Sequence, residues 1–191
     1  MNTHANTQQF VSRRSFLGNT GTLLLSGTTI ALLGCVKSVE AKPDSKLIEQ
    51  DIRILNTAIA AEHEAVAAYQ LGAESGLLSP GVLKVAVQFQ GHHKEHVEVL
   101  AKTVHTLGGV AADPKSTYQF PVSKLKAEKD VLTFAASLER GAVSAYAGAI
   151  PLFDNRDLSK AAASILADEA MHWAILRQAL GMDPVPGAFF S

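Results

Sequence analysis

The sequence predicts an all-α fold: one four-helix bundle, built as two helical hairpins joined by a long crossover, after an N-terminal signal segment. Three observations carry this. Four stretches each place apolar residues in alternating steps of four and three, the period of a helix face. The chain is 47% hydrophobic, rich in alanine and poor in β-branched runs, which favours helices over strands. The two halves also repeat each other: Glu62-His-Glu-Ala-Val-Ala-Ala-Tyr69 aligns with Glu139-Arg-Gly-Ala-Val-Ser-Ala-Tyr146.

The first part of the chain reads as an address. Ser12-Arg13-Arg14-Ser15-Phe16-Leu17 resembles the twin-arginine export motif, and a mostly apolar, small-residue run follows to about Gly34. The run is short and rich in Gly, Thr and Ser, so it fits a signal better than a transmembrane anchor. Val39-Glu40-Ala41 suits signal peptidase, leaving Lys42 as the mature N-terminus. Leu32-Leu33-Gly34-Cys35 resembles a lipobox, which would instead anchor the protein to the membrane through Cys35. Leu33 fits that motif imperfectly, which favours simple cleavage. The expected organisation is a signal over 1–41 and a bundle over 42–191, in the periplasm or cell envelope. The motif implies the twin-arginine translocation machinery as a partner.

The first helix is expected from Ser45 to about Gly72, with the stripe Ile48, Ile52, Leu55, Ile59, Glu62, Val66 and Tyr69. Ser79 suits the cap and Pro80 the first residue of the second helix. Its stripe is Val82, Ala86, Phe89, His93, His96, Leu100, Thr103 and Leu107, and Gly108-Gly109 stops it. From Val110 to about Lys129 there is no helical period, and Pro114 and Pro121 interrupt it. This is the crossover, with its TYQF segment expected on the outside. The third helix should run from near Asp130 to near Phe153, with the stripe Leu132, Ala136, Glu139, Val143, Tyr146, Ile150 and Phe153. Asp154-Asn155-Arg156 links it to the fourth, which ends at Gly181 and carries Leu158, Ala162, Ile165, Glu169, His172, Leu176 and Ala179. The tail GMDPVPGAFFS is expected against the bundle or a neighbouring subunit, the latter in a homo-oligomer.

Six residues break the apolar stripes, all at the same level: Glu62, His93, His96, Glu139, Glu169 and His172. A carboxylate buried alone is expensive, and a partner charge or a metal is the usual remedy. Three glutamates and three histidines could balance one another without metal, but their convergence favours metal binding. His92 and Asp168 stand one position off their stripes, as partners for ligand histidines or as boundary residues. Tyr69 and Tyr146 lie two turns from Glu62 and Glu139, as groups behind the ligands, and are expected to pack in the core with hydrogen-bonded hydroxyls rather than to do redox work. His63, Glu64, Glu95 and Glu98 fall on solvated faces.

This constellation resembles the ferritin-like superfamily, specifically its exported ferritin-like domain proteins. That family places a Glu on each of two helices and Glu-x-x-His on each of the other two. The resemblance implies that Glu62 and Glu139 are the single glutamates and that Glu169 and His172 form one complete motif. His96 matches the His of the other motif, but His93 stands where a bridging Glu belongs. The resemblance implies iron or manganese and a reaction with oxygen or peroxide, as in ferroxidases and manganese catalases. The extra imidazole makes zinc or copper more competitive. A non-catalytic metal-binding or stress-associated envelope protein is the alternative, since fold does not fix activity.

Composition narrows the remaining classes. A net charge of -1 leaves no electrostatic footprint for nucleic acid. Cys35 is the single cysteine, so the expected mature bundle has neither an intrachain disulfide nor a thiolate metal site.

Overall fold

A computed structural model describes residues 44–190. Arg13, Arg14, Cys35 and the two candidate processing sites lie outside the described residues. Four long helices make up the fold: α1 (Ser45–Glu74), α2 (Pro80–Thr106), α3 (Glu128–Ala149) and α4 (Arg156–Ala179). α1 packs along α2 and α3 along α4 as two hairpins, and α1 meets α3 across the bundle. Among the described residues there is no strand, and no helix is long and apolar enough to cross a membrane.

The helix limits follow from local chemistry. Asp44 and Asn155 open α1 and α4, their side chains accepting from Lys46 N and Asp157 N at 2.9 Å each. Pro80 begins α2 as expected, but the Ser79 side chain makes no capping bond. The Ser79 N–H instead donates to the Glu128 carboxylate at the start of α3. α2 and α4 end alike, on Gly108 (φ 84°) and Gly181 (φ 72°), a left-handed conformation that glycine adopts without steric cost. Gly109 N then reaches Val104 O, and Met182 N reaches Arg177 O, each at 2.9 Å, closing the last turns.

α3 ends earlier than its stripe suggests. The α-helix stops at Ala149, and Ile150–Leu152 form a single 3-10 turn containing Pro151. Proline has no N–H to give to the preceding turn, which accounts for the break. Phe153 nevertheless stays buried.

Two apolar clusters flank the middle of the bundle. Leu55, Ile59, Leu100, Val104, Phe153, Leu158 and Ile165 fill one end, and Phe89, Leu132, Ala136 and Leu176 the other. The stripe residues are buried or half-buried as the periodicity requires, except Ala179, which is exposed at the end of α4. Asp51 is buried off the stripe, where its two oxygens accept from Asp154 N (3.0 Å) and Asn155 N (3.2 Å) before α4. Asn56 pins the crossover, donating to Val110 O and accepting from Ala112 N. Phe120 of the TYQF segment packs on Phe134, on the outside of α3. The tail returns to the bundle, with Phe190 edge-on to Trp173 and beneath Arg140.

Candidate metal centre

Between the two apolar clusters lies a polar layer to which all four helices contribute. It brings together the six residues singled out by the stripes. Glu62, His93, Glu139, Glu169 and His172 are buried, and His96 is 13% exposed. His93 sits among the three carboxylates. Its Nδ1 is 2.8 Å from Glu62 Oε2 and 3.5 Å from Glu169 Oε1, and its Nε2 is 3.3 Å from Glu139 Oε1.

The other two histidines stand on either side of Glu169. His96 Nδ1 is 3.1 Å from Glu169 Oε1 and 3.4 Å from Glu62 Oε2. His172 Nδ1 is 3.4 Å from Glu139 Oε1 and 3.7 Å from Glu169 Oε2. The donors therefore form two overlapping groups: Glu62, His93, His96 and Glu169, then His93, Glu139, Glu169 and His172. His93 and Glu169 belong to both. In each group the donor atoms lie within 4.8 Å of one another.

The tyrosines tie the two halves together. Tyr146 on α3 donates to Glu62 Oε1 on α1 at 2.6 Å, and Tyr69 on α1 donates to Glu139 Oε1 on α3. Each hairpin thus fixes the single glutamate of the other, and the repeated Glu-to-Tyr spacing makes this exchange reciprocal. Burial beside the glutamates pushes both phenols up, so they remain donors.

The outer face of the layer is built from the two boundary residues. Asp168 Oδ2 is 3.4 Å from His96 Nε2, 3.3 Å from His172 Nε2 and 3.1 Å from His92 Nδ1. Asp168 thereby faces the outward nitrogens of the two histidines whose Nδ1 atoms point inward, the arrangement that orients ligand imidazoles. Phe89, which its stripe marks only as core, has a further role. Its ring stacks on His172 with centroids 3.9 Å apart and fixes the imidazole plane. Its place one helical turn before His93 is the signal that the sequence carries. Glu95 and Glu98 are exposed and His63 and Glu64 half-buried, all outside this layer.

Electrostatics within the layer is a contest between burial and opposite charge. Burial alone would push the histidines down, but the surrounding carboxylates outweigh it. His93 rises to about 10, and His96 and His172 to about 9. Burial would likewise raise the carboxyls, yet His93 and His96 hold Glu62 below its usual range, and His172 and His93 do so for Glu139.

Charge balance does not satisfy the individual atoms. His96 Nδ1, Glu139 Oε2, both Glu169 carboxylate oxygens and His172 Nδ1 are buried without a hydrogen-bond partner. Where two of them approach, as His96 Nδ1 and Glu169 Oε1 do at 3.1 Å and His172 Nδ1 and Glu169 Oε2 at 3.7 Å, the contact lacks hydrogen-bonding geometry. All five belong to residues of the two overlapping donor groups. Buried polar atoms without partners cost about 1–3 kcal/mol each. Carboxylate oxygens and imidazole nitrogens are the donor set for iron, manganese or zinc, so these residues fit a metal pair.

Residues 50–182 match the Ferritin-like domain family. The chain belongs to that family. Solved structures agree on the fold. A conserved hypothetical protein from Mycobacterium tuberculosis is 22% identical with a TM-score of 0.65, the match covering 75% of this chain and 99% of that one. A structure described as ferritin-like, diiron-carboxylate proteins from Bacillus anthracis str. Ames is 20% identical with a TM-score of 0.60, covering 70% and 97%. A dodecameric thioferritin from Bacteroides fragilis, described as a bacterioferritin-related protein, is 22% identical with a TM-score of 0.58, covering 70% and 86%. No curated protein matches the chain by sequence.

Proposed function

We propose that the polar layer binds two metal ions, iron or manganese, and that the protein is an exported oxidoreductase acting on oxygen or peroxide. Glu62 and His96 would hold one ion and Glu139 and His172 the other, with Glu169 and His93 between them. The observation carrying this reading is the set of five unpartnered buried atoms, all on residues of the two donor groups. The diiron-carboxylate description of the Bacillus anthracis structure supports iron as the metal.

When bound, such a metal pair supplies redox chemistry toward oxygen or peroxide. The chain's own residues set the stage for it. Three carboxylates offset cationic charge, while Tyr69 and Tyr146 hold Glu139 and Glu62 in place. Asp168 and Phe89 orient His172, and Asp168 also faces His96. The apolar clusters above and below close the two ends of the layer.

Peroxide consumption or iron oxidation by the metal-loaded protein, lost in His172→Ala, is the expected result. No turnover in fully loaded protein would overturn the enzymatic reading. The twin-arginine motif supports export, with the translocation machinery as partner and the periplasm or envelope as destination. Membrane anchoring through Cys35 is the lipidated variant of that proposal. The dodecameric Bacteroides fragilis relative supports a homo-oligomer.

One feature favours a second, non-catalytic reading. His93 contacts all three glutamates within 3.5 Å, which lets the layer act as a charge network that a metal only stabilises. Under this reading, metal raises the melting temperature but supports no turnover.

A further inference from the structure

His92, Asp168 and His172 form a second kind of donor group, on the outer side of the layer. Their donor atoms form a nearly equilateral triangle. His92 Nδ1 is 3.1 Å from Asp168 Oδ2 and 2.9 Å from His172 Nε2, and Asp168 Oδ2 is 3.3 Å from His172 Nε2. A tetrahedral divalent ion with bonds of about 2.0–2.1 Å holds its donors ~3.3 Å apart. The triangle thus provides one face of such a site, with the fourth position toward solvent.

Hydrogen bonding alone leaves this corner crowded. Three ring nitrogens, from His92, His96 and His172, converge on the single oxygen Asp168 Oδ2. A carboxylate oxygen has two lone pairs. Access also differs from that of the inner groups. The side chains of His92 and Asp168 are 34% and 22% exposed, against 1% for His93 and Glu139 and 0% for Glu169.

We propose that His92, Asp168 and His172 form a loading site, which takes a divalent transition-metal ion from solvent before it enters the buried pair. The destination rests on the dinuclear reading above; the outer site itself does not. His172 belongs to both places, presenting Nε2 outward to Asp168 and Nδ1 inward to Glu139. A neutral imidazole has one free lone pair, so His172 serves one ion at a time. Filling the inner position therefore releases the outer one, and the outer site holds its ion only in transit.

Cobalt(II) alone is a suitable probe, followed by its visible absorption after rapid mixing with metal-stripped protein. His92→Ala should reach the same final number of ions per chain, at least tenfold more slowly. Glu169→Gln, which weakens both inner positions, should retain one ion that is lost when His92→Ala is added. Loading of His92→Ala at the wild-type rate would overturn the proposal, as would a Glu169→Gln protein with no His92-dependent ion. If the dinuclear reading is wrong but this one is right, wild type itself will bind a single cobalt that His92→Ala removes.

Discussion

The imidazole of His93 spans the two single glutamates, with Nδ1 2.8 Å from Glu62 on α1 and Nε2 3.3 Å from Glu139 on α3. It occupies the place where the family pattern puts a bridging carboxylate. The exchange has opposite consequences for the metal-free and the loaded protein. Without metal, His93 supplies positive charge to three buried carboxylates. With metal, it offers a nitrogen in place of an anionic bridge.

His93→Glu therefore separates the two states. It places a fourth carboxylate among Glu62, Glu139 and Glu169, so the metal-free protein should lose about 3–5 kcal/mol, the cost of breaking a buried pair. Iron or manganese should restore that stability, and the second ion should bind more tightly than in wild type. Denaturant melts with and without metal, together with metal counts, measure both effects. A second ion bound no more tightly than in wild type would remove His93 as the residue controlling occupancy.

The exchanged tyrosines make a reciprocal prediction. Tyr69→Phe and Tyr146→Phe each remove one hydrogen bond to a charged acceptor, worth about 1.5–3 kcal/mol. Because each bond joins α1 to α3, either change loosens the contact between the hairpins as well as one glutamate. Both variants should melt earlier and bind metal more weakly. A fall in metal affinity with unchanged stability would show that the bond acts on the carboxylate alone.

Acid and alkali should both weaken the metal-free layer, through different residues. The folded values of His93, His96 and His172 lie above the ordinary 6.5, at about 9–10. Their contribution is complete below pH 6.5 and is lost as pH rises through 9–10. Glu62 and Glu139 lie below the ordinary 4.5, so theirs is present above that value and lost as pH falls. This layer therefore favours the fold most between about pH 4.5 and 6.5. The melting temperature of chelated protein should fall between about pH 6.5 and pH 10, and bound metal should remove much of that fall. Loss of stability in the reverse direction would contradict the assignment of charge.

Asp51→Ala tests the fold independently of the site. It leaves Asp154 N and Asn155 N without their acceptor, and such a cap is worth about 0.5–2 kcal/mol. Thermal stability should drop by that amount while the metal count stays the same. A change in the count would couple the start of α4 to the polar layer.

The helices and the six central residues are legible in the sequence because burial leaves a periodic trace. Glu62, Glu139, Glu169 and His172 interrupt apolar stripes that are otherwise continuous, so their inward direction follows from spacing alone. Asp51 leaves no such trace. A charged residue beside a stripe reads as solvated unless its partner is known, and its partners are backbone groups 103 and 104 positions away. The tyrosine exchange is hidden for the same reason, since its bonds span 70 and 84 positions. The sequence repeat implies symmetry, but periodicity does not say which Glu a given Tyr will reach. Spacing also overextends α3, because Phe153 keeps the helical register and stays buried after Pro151 has broken the helix.

The most direct test of a metal centre is the number and identity of metal ions bound per chain, measured by mass spectrometry on protein purified from its native compartment. The five unpartnered buried atoms predict two equivalents of iron or manganese, both lost from the inner positions in Glu169→Ala, which leaves at most the one ion held at His92. Protein that is folded, stable and free of metal would contradict the account: Glu62, Glu139 and Glu169 would then be satisfied by His93, His96 and His172 alone.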